Sequence, residues 1–148
     1  MTFKRNLGTR AVEFRLALAS LSLATYSQGA TYSISGATGN LTLSISSGVI
    51  TLSPGRYMIE GYPYVDVVDQ NDEITFVWQE NSSGSYADIG IVGQVQVSGD
   101  DIGERDVAIA VINAPTSVDV KLIVKTLTST GTPTDAGGCI VVWKEEDL

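Results

Sequence analysis

Arg56-Tyr57-Met58-Ile59-Glu60-Gly61-Tyr62-Pro63-Tyr64-Val65 alternates along its length as a strand does, yet large groups emerge on both of its sides. Successive strand side chains point to opposite faces, so Tyr57, Ile59 and Val65 share one face while Met58, Tyr62 and Tyr64 share the other. A sandwich strand normally keeps its second face wet, so this second face calls for cover. Val107-Ala108-Ile109-Ala110-Val111-Ile112 is apolar on both sides in the same way. The cover is either the N-terminal part of the same chain or a neighbouring subunit. Pro63 donates no backbone hydrogen bond and suits an edge or a bulge.

The segments around this one also alternate with period two. Val12, Phe14, Leu16 and Leu18 oppose Glu13, Arg15 and Ala17; Leu41, Leu43 and Ile45 oppose Thr42, Ser44 and Ser46. Ile74, Phe76 and Trp78 oppose Thr75, Val77 and Gln79, and Ile89, Ile91, Val95 and Val97 oppose Gln94 and Gln96. Val118, Val120, Leu122 and Val124 oppose Asp119, Lys121 and Lys125. Turn chemistry separates these runs: Ser35-Gly36, Gly39-Asn40, Ser47-Gly48, Ser53-Pro54-Gly55, Ser82-Ser83-Gly84, Ala114-Pro115 and Gly131-Thr132-Pro133. Short strands punctuated in this way predict an all-β fold, an antiparallel β sandwich or jelly roll. Residues 11 to 24 alternate better than they fit a helix, and their Ser and Thr content lowers helix propensity. The organisation read from this is an extended N-terminal arm, residues 1–30, followed by one sandwich domain, residues 31–148.

At 148 residues, a single domain buries roughly two-thirds of the surface its unfolded chain would expose, enough for a core without staples. The chain has no His and one Cys, Cys139, which removes His-based triads, His or multi-Cys zinc sites and internal disulfides. Cys139 reads as a small buried strand residue. Nine Lys and Arg against seventeen Asp and Glu leave a net charge of −8, which argues against a nucleic-acid duplex as partner. No apolar window reaches the length of about eighteen residues that a helical membrane span needs, so no membrane partner is expected. The run Leu16–Ala24 only partly imitates a secretory leader, because Glu13 and Arg15 adjoin it and serines interrupt it; retention of the segment is expected.

The charge is unevenly spread. Lys4, Arg5, Arg10 and Arg15 face only Glu13 within the first fifteen residues, whereas Glu60 to Asp106 carries eleven acids and one base, Arg105. A basic arm that docks on an acidic surface is one reading, and a solvated face is the plain one. Asp69-Gln70-Asn71-Asp72-Glu73 and the cluster of Asp100, Asp101, Glu104 and Asp106 lack the spacing of a calcium loop and read as solvated turns, so no metal and no cofactor is expected. With eleven acids in one span, carboxylate pairs arise by chance and do not point to glycoside hydrolysis. The serines have no His base, and the Gly-rich stretches match no phosphate loop, so no enzyme is expected. Tyr62, Tyr64, Tyr86, Trp78 and Trp143 offer sugar-stacking surfaces, although core packing and interfaces are their commoner uses.

Two segments carry a resemblance. Ile50-Thr51-Leu52-Ser53-Pro54-Gly55-Arg56-Tyr57-Met58-Ile59-Glu60-Gly61 resembles the "apolar-x-Leu-x-x-Gly-x-Tyr-x-Ile" strand opening of complement- and tumour-necrosis-factor-like jelly rolls, found as heads of bacteriophage fibre and decoration proteins. Cys139-Ile140-Val141-Val142-Trp143-Lys144 resembles the closing strand of those domains, so the resemblance spans residues 48 to 144. It implies a homotrimer on a virion surface, without enzymatic activity. The short chain and basic arm favour a capsid decoration, or cement, protein whose partner is the major capsid protein. In that role Tyr57, Met58, Tyr62, Tyr64, Val107, Ile109 and Val111 form the subunit interface, and Lys4, Arg5, Arg10 and Arg15 form the docking arm. The alternative is the receptor-binding head of a tail fibre, recognising a host glycan or protein through loops 80–87 and 128–137.

Overall fold

A computed structural model describes residues 3–7, 10–25, 27–65, 73–96, 104–128 and 136–147. The described residues form twelve strands: β1 (Phe3–Leu7), β2 (Arg10–Ser22), β3 (Ser33–Gly39), β4 (Ser44–Ser46), β5 (Val49–Leu52), β6 (Gly55–Val65), β7 (Glu73–Glu80), β8 (Ala87–Gln96), β9 (Glu104–Arg105), β10 (Ala108–Ala114), β11 (Val118–Thr128) and β12 (Ala136–Asp147). All pairings between strands are antiparallel. The hydrogen-bonded order is β1-β2-β12-β6-β10-β8-β7-β11-β5-β4, with β3 on β2 and β9 on β8. The first sheet is β2-β12-β6-β10, extended at its β2 edge by β1 and β3, and the second is β7-β11-β5-β4. β8 pairs with both β10 and β7 and so forms the corner between them. This is the jelly roll that the alternation predicts.

The core lies between the sheets. Trp78, Phe76, Tyr32, Ile59, Leu122 and Ile140 are fully buried there. The rings of Tyr32 and Phe76 meet edge to face with centroids 5.6 Å apart. The indole of Trp78 donates to the carbonyl of Ala108 at 3.0 Å, which satisfies its one polar atom inside the core. Gly61 provides the room: a Cβ there would lie 3.0 Å from Leu122 Cδ2 and 3.5 Å from Trp78 Cζ2.

The segment assigned to an arm folds back into the sheet. β2 pairs with β12 from Val12↔Asp147 to Ser22↔Gly137, its outer edge is covered by β1 and β3, and only then does the chain enter the second sheet. Ala17, Ala19 and Leu21 are buried on the inner side of β2. The alternating pattern of residues 12–18 is thus a sheet strand, and it widens the first sheet without lying across its second face.

Three local readings change for stated reasons. Ser35-Gly36 reads as a turn, yet it lies inside the strand Ser33–Gly39, which Gly39-Asn40 then ends in a bend; Gly36 adopts positive φ, and the pairing with β2 shifts register between Leu18 and Ser20. Ile91 points away from the core that receives Val95, because Gly90 (φ 75°) lies at an irregularity where β8 turns the corner; a Cβ at Gly90 would lie 2.0 Å from the carbonyl oxygen of Ile109. Cys139 is exposed, since it shares its side of β12 with Val141 and Trp143 while Ile140 and Val142 face inward. Pro63, by contrast, sits at a local edge: the β10 pairing of β6 ends at Gly61↔Ala108, and among the described residues the strand pairs at Pro63 with β12 alone.

Candidate interaction face

The outer side of the first sheet is built from the register of four strands. One row across the sheet is Leu16, Trp143, Met58 and Val111, each directly opposite the next. The adjacent row is Leu18, Val141, Glu60, Ile109 and Ile91, and a third sets Ser20 against Cys139 and Tyr62. Directly opposed strand residues bring their Cβ atoms to about 5 Å, so the apolar members of each row form a continuous surface. Leu18 is 43% exposed, Met58 37%, Tyr62 40%, Ile91 65% and Val111 70%. Five strands at about 4.8 Å spacing and six residues of strand length give on the order of 400 Å² in plan. Apolar patches of that size on monomers are often functional.

At one end the face hollows into a groove of about 360 Å³ lined by the side chains of Phe14, Met58, Val111 and Trp143, with the Arg56–Glu145 ion pair (3.5 Å) at its rim. Toward the middle stands Glu60. Its carboxylate accepts a hydrogen bond from the Trp143 indole N–H at 3.1 Å. Burial, followed by the charge of this carboxylate, raises the Tyr62 pKa above the ordinary tyrosine value.

Of the residues singled out in the sequence, Met58, Tyr62, Ile109 and Val111 come together on this face. Tyr64 lies on the same side of β6, its ring over Gly137, where a Cβ would approach it to 3.0 Å. Val107 is half-buried just before β10. Tyr57 stands apart: it is 4% exposed on the inner side, where its hydroxyl donates to the carbonyl oxygen of Ser53 at 2.9 Å and lies 2.8 Å from the Ser53 hydroxyl. Leu18, Ile91, Trp143 and Glu60 complete the face but were not assigned to it from sequence; the alternation of Cys139-Ile140-Val141-Val142-Trp143 held the signal for Trp143.

The basic residues are less gathered. Arg15 is tied to Glu146 at 2.9 Å, and Lys144 reaches the same carboxylate at 3.6 Å. Lys4, Arg5 and Arg10 lie on the β1–β2 hairpin, where Lys4 pairs with Glu13 and Arg10 with Leu7 in register; their side chains lie outside the described residues. The acidic stretches 66–72 and 97–103 and loop residues 129–135 also lie outside them. Among the described residues no group of three or more metal-ligating side chains occurs, and no helix is long and apolar enough to cross a membrane. In the 80–87 loop, the ammonium of Lys121 sits 4.0 Å above the ring of Tyr86.

With the face defined, comparison with solved structures becomes informative about fold. Murine APRIL at pH 5.0 superposes with a TM-score of 0.55 at 10% identity, over 87% of this chain and 98% of that one. The globular domain of zebrafish complement 1qA protein gives 0.52 at 12% identity, over 88% of this chain and 95% of that one. The chain has the complement- and tumour-necrosis-factor-like jelly-roll fold. No protein-family model and no curated protein matches it. At these identities the likeness establishes the architecture, and function rests on the chain's own residues.

Proposed function

We propose that this chain is a non-enzymatic structural protein that assembles as a homotrimer through the outer face of the first sheet and serves as a decoration protein on a virus shell. The observation that carries the assembly is the continuous apolar surface of Leu18, Val141, Trp143, Met58, Ile109, Val111 and Ile91, which the N-terminal strands leave open. Removing such a surface from water is the main driving force of association. The fold likeness to the complement and tumour-necrosis-factor-like domains supports a threefold arrangement, and the phage-head resemblance of residues 48–144 supports the shell. The β1–β2 hairpin, with Lys4, Arg5 and Arg10 at the sheet edge, is the docking element, and three copies per trimer multiply a weak contact through avidity.

Sedimentation velocity at micromolar concentration tests the assembly, with a single trimeric species expected; a monomer overturns it. Co-sedimentation with expanded capsid shells tests the setting. Binding to host cells or glycans, with none to shells, would replace decoration by a receptor-binding head.

A further inference from the structure

An apolar face alone does not specify how copies pack, because greasy surfaces tolerate sliding and rotation. Within the three central rows of this face, among the described residues, Glu60 alone is charged. It is held by its own chain, by the Trp143 indole N–H at 3.1 Å. Val141 and Ile109 lie directly opposite it on the neighbouring strands. This donor, within the same protomer, makes a basic partner unnecessary. For a chain of net charge −8, central rows whose one carboxylate is already held within its own protomer are also where a second copy approaches with least repulsion.

We infer that Glu60 is the specificity-determining residue of this self-association: it admits the one packing in which each carboxylate keeps its Trp143 donor. Any slipped arrangement drives a neighbour's apolar group against the carboxylate, pulls it from that donor and leaves a buried charge unpaired. A single polar group in an apolar interface fixes register and copy number in this way, at some cost in affinity. The inference rests on the trimer reading above.

Three variants test it by sedimentation and by dilution to dissociation, with circular dichroism as the check on folding. Glu60→Leu removes the constraint and is expected to populate more than one oligomer, at affinity equal to or above that of the native trimer. Trp143→Phe keeps a ring but removes the donor, and is expected to weaken the trimer about tenfold or more. Adding Glu60→Leu to Trp143→Phe is expected to restore the affinity, since the carboxylate that needed the donor is gone. A native trimer with a Glu60→Leu variant that remains one trimeric species overturns the inference and leaves the trimer standing. So does a Trp143→Phe trimer as tight as the native one. A monomeric native protein overturns the trimer and the inference with it.

Discussion

Arg15 on β2 and Glu146 on β12 form a 2.9 Å ion pair that joins the start of the chain to its end. The same carboxylate receives Lys144 at 3.6 Å, and the Lys144 ammonium lies 5.6 Å from the Tyr57 ring centroid and 3.3 Å from the Ser53 hydroxyl. The acidic C-terminal strand therefore neutralises part of the basic N-terminal segment within one protomer. Both partners keep contact with water, so the pair contributes at most about 1 kcal/mol. Arg15→Glu is expected to lower Tm by roughly 1–3 °C at low salt, with the loss shrinking in 0.5 M salt. Thermal unfolding at the two salt concentrations checks this; an equal loss at both would show that packing of the Arg15 stem, not charge, ties the strands.

The outer face and the core predict opposite phenotypes from neighbouring residues on one strand. Tyr62 and Val111 are exposed in the protomer, so Tyr62→Asp or Val111→Asp is expected to leave the unfolding midpoint of the monomer nearly unchanged, within about 0.5 kcal/mol. Self-association is expected to fall by about a hundredfold or more, because each new charge must be desolvated at the contact. Ile59→Ala, one position from Glu60 but on the inner side, is expected to cost about 2–5 kcal/mol of folding stability. Urea unfolding and sedimentation of the three variants separate the effects. Loss of folding in Val111→Asp would place that side chain in the protomer's own core.

The two-sided apolar pattern of residues 56–65 and 107–112 was legible because strand parity is strict, and it placed Met58, Tyr62, Ile109 and Val111 on one surface. What alternation does not carry is which strand lies beside which. The row Leu16, Trp143, Met58, Val111 is assembled from four segments far apart in the chain, and Trp143 joins it only through the register of β12 with β6. Glu60 read as one acid among eleven for the same reason. Ile91 was misplaced because parity fails at an irregularity, and Gly90 was the residue that marked it. The basic arm became a sheet strand because Ala17, Ala19 and Leu21 bury more by pairing with β12 than an extended segment would.

Gly61 is the point where core volume is set by a missing side chain. With Leu122 Cδ2 3.0 Å and Trp78 Cζ2 3.5 Å from the position of a Cβ, Gly61→Ala presses on the Leu122 methyl and Gly61→Val collides with both groups. Overpacking of this kind costs about 1–3 kcal/mol, with Val worse than Ala. Urea midpoints of the two variants check the order, and relief of the Gly61→Ala loss by Leu122→Val would identify Leu122 as the group that is pressed.

Asp88 on β8 predicts the acid side of the stability profile. The Gln79 amide donates to one carboxylate oxygen at 2.8 Å and Lys125 sits 3.1 Å from the other; the Gln79 bond first, and Lys125 after it, hold the Asp88 pKa below the ordinary aspartate value against a smaller opposing effect of burial. A depressed folded-state pKa means that the unfolded chain takes up the proton first. The stabilisation is therefore fully present above the ordinary aspartate range and is lost as pH falls through that range and below it. Because the carboxylate is well exposed, its contribution is a fraction of a kcal/mol after solvent screening. Thermal unfolding of the native chain and Asp88→Asn from pH 7 to pH 3 measures it: the native protein is expected to melt slightly higher at neutral pH, and the gap is expected to close on acidification. A gap that stays constant across the range would assign the difference to the altered hydrogen bond with Gln79 and not to the charge of Asp88.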